Sequence, residues 1–242
     1  MDSLKNIISD IRVFLYGGIQ KLPLTIAGTI LILGLFTANY AMLFFLIGFL
    51  VVAPTVAKGL NILLELLIPK LGFPNAFRTR TSDVCKVITP FTTLNNPVGS
   101  QEENVIFSPW LGMSLFFIGY LFTNGFELYK REPVDSTLNV NSSLKSDIEK
   151  GRTTRKSQAI IAIISTILFG MIIIGFRLYS GCENKISILL TTVVFMYLGH
   201  LWYLALASVG EDRLSDLFGI ANRLLPPGAI ENKPIACVPI RI

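Results

Sequence analysis

The sequence predicts an all-α, multi-pass transmembrane helical bundle with an amphipathic surface helix at each end, and three observations carry that prediction. Ala159 to Phe176 reads AIIAIISTILFGMIIIGF, without one ionisable side chain. At about 1.5 Å per residue this run reaches roughly 27 Å, close to the hydrocarbon thickness of a bilayer. Four further apolar blocks lie along the 242 residues. Only 15% of residues are charged, against about a quarter in a soluble domain, and the charge is concentrated between the blocks.

Residues 1–21 are expected to form an amphipathic interfacial helix. Leu4, Ile7, Ile8, Ile11, Phe14 and Leu15 make one stripe, Lys5, Asn6, Asp10 and Arg12 fall elsewhere, and Gly17 and Gly18 end it. No cleavable signal peptide is expected, because the first strongly apolar block starts near Leu22 after this mixed-charge segment. Asp2 stands where a myristoylation signal needs Gly.

Residues 22–69 read as a hydrophobic helical hairpin. Its arms, Leu22–Thr37 and Ala41 onward, are joined by TANY, and Pro54 is expected to kink the second arm before Pro69. The first arm is short, so a re-entrant or tilted pair stands beside two full crossings. Residues 70–108 are a polar, Pro- and Asn-rich loop, expected to fold as a small cap or to lie against a partner. Pro109 suits the first turn of a transmembrane helix over 109–129. A basic loop over 130–157 precedes transmembrane helices at 158–179 and 186–209. Residues 210–242 read as an amphipathic helix, with Leu214, Leu217, Phe218, Ala221, Leu224 and Leu225 on one face, and then an extended, proline-bearing tail. No internal repeat appears.

The formal net charge of +5 is expected to serve attraction to anionic lipid head groups, with Arg152, Arg155 and Lys156 as candidate contacts. Nucleic acid is not an expected partner, since no aromatic residues interleave with a basic groove. Lys130, Arg131, Lys145, Lys150, Arg152, Arg155 and Lys156 favour a cytoplasmic 130–157 loop, and with it a cytoplasmic C-terminal tail. Lys5, Arg12 and Lys21 prefer the same side, and these preferences agree only for an even number of crossings. Four crossings would satisfy them, and five would put the N-terminus opposite the tail. The loop 70–108, with Lys70, Arg78, Arg80 and Lys86, is an unfavourable count for the outer side. Cys85 and Cys182 are separated by two crossings and share a side, so a disulfide between them and a pair of free thiols both remain open. Asn141-Ser142-Ser143 is a glycosylation sequon that this orientation leaves cytoplasmic and unmodified.

Ionisable and amide groups inside apolar blocks are the candidate intramembrane polar residues. Lys58, Asn61 and Glu65 fall on one helical stripe and would either line a polar cavity or emerge at the interface. Asn124 and Glu127 are expected at an interface. His200, the single histidine, would serve either a proton relay or a helix-to-helix hydrogen bond. Gly112, Gly119, Gly170 and Gly175 would let helices pack closely.

An enzyme is not expected. One histidine excludes two-histidine phosphatase chemistry, and no His/Cys/Asp cluster has zinc-ligand spacing. No G-x-S-x-G, H-E-x-x-H or phosphate-loop motif occurs, and a dyad of His200 with Ser114, Ser165 or Ser208 has no supporting motif. No cofactor is expected. The outward-facing loop 70–108 and tail 226–242 are expected to contact other proteins, since extended proline-bearing segments lose little entropy on binding.

The tail ANRLLPPGAIENKPIACVPIRI and the hairpin GLFTANYAMLFFLIGFLVVAP resemble multi-pass membrane proteins of large double-stranded DNA viruses of algae and protists. Some of those proteins sit in the virion's internal membrane beneath the capsid. The resemblance covers these two short stretches and implies a structural component of a larger membrane-associated complex, with loops and tail touching capsid or neighbouring membrane proteins. It carries over no catalytic residue. The alternative from the residues themselves is a small transporter or ion channel with a polar path at Lys58, Asn61, Glu65 and His200.

Overall fold

The structure, a computed structural model, describes residues 17–71, 106–130, 142–181, 183–210 and 212–217, with side chains left undescribed at 68–71, 142–152, 154–155 and 212–213. Among the described residues the regular structure is helical throughout. The helices are α1 (Leu22–Phe36), α2 (Tyr40–Ile47), a π-helical segment (Gly48–Val52), α3 (Ala53–Leu71), α4 (Pro109–Lys130), α5 (Ser142–Ser180), α6 (Lys185–Gly210) and a short α7 (Asp212–Ser215). Four stretches are long and apolar enough to cross a membrane: Tyr40–Leu67, Pro109–Lys130, Lys156–Ser180 and Lys185–Gly210. At 15 residues, α1 is shorter, about 22 Å of helix.

The hub is α4. Trp110, Leu111, Leu115, Phe116 and Tyr120 are all buried on it. A parallel neighbour, α6, meets it at successive levels, with Ser187 at Ile106, Phe195 at Gly112, Gly199 at Phe116 and His200 at Thr123. Contact is backbone to backbone. A Cβ on Gly119 would fall 2.3 Å from the Met196 carbonyl oxygen, and one on Gly199 would fall 2.3 Å from that of Phe116. On another side α5 runs antiparallel, with Ile163 against Gly125, Gly170 against Ile118 and Arg177 over Trp110. Of the four expected small-residue contacts, Gly112, Gly119 and Gly170 lie at helix crossings, whereas a Cβ on Gly175 would meet nothing within 4 Å. Gly48 and Gly199 are two further contact glycines that periodicity does not single out.

The hairpin packs its second arm on α4. Phe45 is enclosed by the rings of Phe49, Phe116, Phe117 and Tyr120, at centroid distances of 5.6, 5.9, 5.8 and 4.9 Å. Its turn is a Schellman closure, in which the N–H of Asn39 bonds the Gly34 carbonyl and that of Ala38 bonds the Leu35 carbonyl. Ala38 takes the left-handed conformation, φ 49°, where glycine is usual. Asn39 then caps α2 by accepting from the Ala41 N–H at 3.0 Å. Pro54, where the sequence predicts a kink, follows a π-helical segment. It has no N–H to donate and its ring crowds the preceding turn, and the π-helical segment Gly48–Val52 widens the backbone just ahead of it.

Three findings differ from the sequence expectation. Residues 17–20 are helical, so Gly17 and Gly18 do not end a helix there. Residues 142–157, expected within a connecting loop, are the first turns of a 39-residue α5. Extending an existing helix needs no new nucleus and gains one backbone bond per residue, and Glu149, Lys150, Arg152, Arg155 and Lys156 are good helix formers. Of the segment after Gly210, expected on the surface, the described residues turn inward: Ser215, Asp216 and Leu217 are buried in the bundle, with α7 packed against α6 and α2, and the rest of the expected apolar face, from Phe218 on, lies outside the described residues.

The bundle also settles which elements share an end. Gln20, Asn61, Trp110, Arg177 and Ser187 gather at one end, and the turn at 37–39, Lys130, Lys156 and Gly210 lie toward the other. Lys21 therefore lies toward the end opposite Lys130 and Lys156.

Two stability outcomes are expected. Gly199→Val should destabilise the detergent-solubilised bundle by about 1–3 kcal/mol, the usual cost of overpacking, while Gly175→Ala leaves it unchanged or slightly firmer. Ala38→Gly should stabilise the hairpin by up to ~1 kcal/mol, because glycine adopts the left-handed conformation without the Cβ clash. Thermal unfolding followed by circular dichroism reads both.

Candidate functional site

The sequence-predicted polar residues do not converge. Lys58 and Glu65 lie exposed on α3, on the outside of the bundle. Asn61, between them, turns inward and uses both ends of its amide on one residue. Its Nδ2 donates to the Phe107 carbonyl at 2.9 Å, and its Oδ1 accepts from the Phe107 N–H at 2.8 Å. Residues 106 and 107 lead into α4 from outside the helix, and this paired contact supplies Phe107 with its backbone partners. Ser187 does the same for the neighbouring residue by donating to the Ile106 carbonyl.

His200 is half-buried on α6, with Nδ1 3.1 Å from Thr123 Oγ1. Thr123 donates its hydroxyl hydrogen to the Gly119 carbonyl at 2.8 Å, which leaves His200 Nδ1–H as the donor between the two side chains. The bond fastens α6 to α4 one turn beyond the glycine contact. Ser114 and Ser208 donate within their own helices, to the carbonyls of Trp110 and Ala205, and Ser165 is exposed. The hydroxyl hydrogens of Ser114 and Ser208 are thus committed within their own helices, and His200 bonds Thr123 instead.

A denser polar cluster at the Trp110 end joins three helices and was not legible in the sequence. Arg177, in the last turn of α5, pairs with Glu183 at 3.3 Å, and both side chains are almost wholly buried, at 5% and 3% exposure. The guanidinium lies 4.3 Å from the Trp110 ring centre, and its Nη2 donates to Ser108 Oγ at 3.4 Å. Trp110 Nε1 in turn donates to the Gln20 carbonyl at 3.2 Å, which ties in the start of α1. Burial pushes the Glu183 carboxyl above the ordinary carboxylate range, while the Arg177 charge pulls it back. Gly181, at φ 63°, reverses the chain between the partners. The available signal was a lone acid in the link SGCENK, six residues after an arginine that ends an apolar run.

A second cluster sits where the chain leaves α6. Tyr120 donates its hydroxyl to the Ser215 carbonyl at 2.8 Å, and Asn124 Nδ2 lies 3.5 Å from Asp216 Oδ1. Asn124, expected at an interface, is buried. Nearby, Lys130 Nζ lies 4.5 Å from the Phe126 ring centre and Lys156 Nζ lies 5.7 Å from that of Tyr129. Arg152 and Arg155 belong to the α5 backbone, and their side chains lie outside the described residues, as do Cys85, Cys182, most of the 70–108 loop and the 226–242 tail. Among the described residues no group of three or more His, Cys, Asp or Glu could hold a metal ion.

Among the described residues, the class defined by these elements is a helical bundle with four helices long and apolar enough to cross a membrane, fastened internally by hydrogen bonds and a buried ion pair. No particular family follows from comparison: no family model, no curated protein and no solved structure matches the chain.

Removing one member of the Arg177–Glu183 pair strands the other in a buried site. Arg177→Met or Glu183→Leu alone is expected to cost about 3–5 kcal/mol, and the double substitution distinctly less than the sum. A double-mutant cycle of thermal stability in detergent measures the coupling.

Proposed function

We propose that this chain is a multi-pass integral membrane protein and a structural or assembly component of a larger membrane-associated complex. The apolar belt supports the membrane reading. Ile161, Ile172, Leu189, Val193 and Leu35 are exposed on helices that surround α4, which is costly in water and free in lipid. The observation that carries the structural role is the use made of the polar side chains. Asn61, Thr123, His200, Tyr120 and Arg177 each bind one element of the bundle to another, and Lys58 and Glu65 stand outside it. A transporter would spend such groups on a route through the bundle, where they would face water or substrate.

In this reading the end bearing Lys130 and Lys156 faces the cytoplasm, together with the start of the C-terminal tail. The Trp110 end and the segment between α3 and α4 face the other way. The tail and that segment are the proposed contacts for neighbouring proteins, with a capsid beneath which the membrane lies as one setting that the sequence resemblance implies.

Flotation and co-purification test this. The chain is expected to float with vesicles and to need detergent for extraction, and deletion of 226–242 should remove co-purifying partners while the bundle still melts normally. Glu65→Gln with His200→Phe should leave the complex intact and ion flux in proteoliposomes unaltered. A monodisperse chain in plain buffer would overturn the membrane reading, and a flux abolished by those substitutions would overturn the structural one.

A further inference from the structure

Residues far apart in sequence form one basic rim at the end of the α4–α5 pair. Lys130 closes α4, Lys156 stands where the apolar part of α5 begins, and a 26-residue separation in sequence lies between them. The antiparallel packing of the two helices brings them to the same end, with both amines held over aromatic rings, Lys130 over Phe126 and Lys156 over Tyr129. Phe126 and Tyr129 are themselves partly exposed, at 40% and 41%, as aromatic residues are where hydrocarbon gives way to head groups. The helix does not stop at this rim. It continues outward as the first turns of α5, from Ser142.

The opposite end is arranged differently. Arg177, the basic residue at the other limit of α5, is buried against Glu183 and Trp110, and its charge is answered inside the protein. Lys21, Lys58 and Lys185 are exposed there on separate helices. Among the described residues none of the three is paired with an aromatic ring in the way Lys130 and Lys156 are.

We propose that the rim formed by Lys130 and Lys156 binds the phosphate groups of anionic phospholipids. This rests on the membrane reading above and adds the ligand class and the place. A phosphate at the rim meets two ammonium groups that rest over partly exposed aromatic rings, which sets the depth of both charges. Each cation near an anionic surface contributes enough to change affinity by roughly fivefold, and the two at the rim act together.

The test uses the full chain in mild detergent, with native mass spectrometry counting bound phosphatidylglycerol against phosphatidylcholine. The expected result is preferential retention of phosphatidylglycerol, reduced about 25-fold or more in Lys130→Gln/Lys156→Gln and unchanged in Lys21→Gln/Lys185→Gln at the other end. Lys130→Arg/Lys156→Arg should retain binding, and this charge-preserving pair guards against a folding artefact. Inorganic phosphate at millimolar concentration should not displace the lipid, and displacement would reassign the rim to soluble phosphate. Equal retention of the two lipids, or equal loss in both Gln pairs, would overturn the proposal. Flotation of the unaltered chain with phosphatidylcholine vesicles separates the readings, since failure there removes the membrane itself and success with no anionic preference removes only the rim.

Discussion

The arrangement of this molecule depends on how closely α4 and α6 approach. With hydrogen in place of a side chain at Gly119 and Gly199, two backbones touch where a Cβ on either would lie 2.3 Å from a carbonyl oxygen. In a medium as apolar as the side chains, burial of hydrocarbon gives helices little reason to associate, and dispersion at close range must supply the attraction. That contact fixes the parallel pair around which the rest assembles. The Thr123–His200 bond lies one turn away and the Tyr120–Tyr203 edge contact lies beside it, at 5.4 Å between ring centres.

Polar groups inside the bundle follow from the same medium. An unmet donor or charge has no water to turn to, so Asn61 answers Phe107, Ser187 answers Ile106, and Arg177 answers Glu183. The ion pair joins the end of α5 to the start of α6, and through Trp110 and Ser108 to the entry of α4. Desolvating both charges takes back much of what their attraction provides. Its firmer consequence is specificity. A slipped α5 would leave a guanidinium and a carboxylate buried apart, and α5, with so much of its surface outward, has few apolar contacts to define its register.

The hairpin and the segment after Gly210 solve one packing problem together. Phe45 lies opposite Phe116 and Tyr120, only five residues from the start of α2, so the hairpin's turn comes before α4 and α5 reach Lys130 and Lys156. Into the same end fold Ser215, Asp216 and Leu217, against α2 and beneath Tyr120. A short arm thus leaves room for a returning chain, and the tail's departure point is set by bonds within the bundle.

The sequence by itself determined the helical character, the apolar segments and their order, and a disturbance of the helix near Pro54. Those are one-dimensional properties, since a run of apolar residues has a length, and a missing N–H is missing wherever the helix packs. Only the tertiary structure decided which polar residue is a fastener and which is surface. Lys58, Asn61 and Glu65 share a stripe, yet Asn61 alone has a loop backbone within reach, and no periodicity contains that distance. The same holds for Arg177 with Glu183, for Asn124 drawn inward beside Asp216, and for Lys21 lying opposite Lys156. Pairing depends on where two helix ends meet in space, and local preference along the chain carries no record of that meeting.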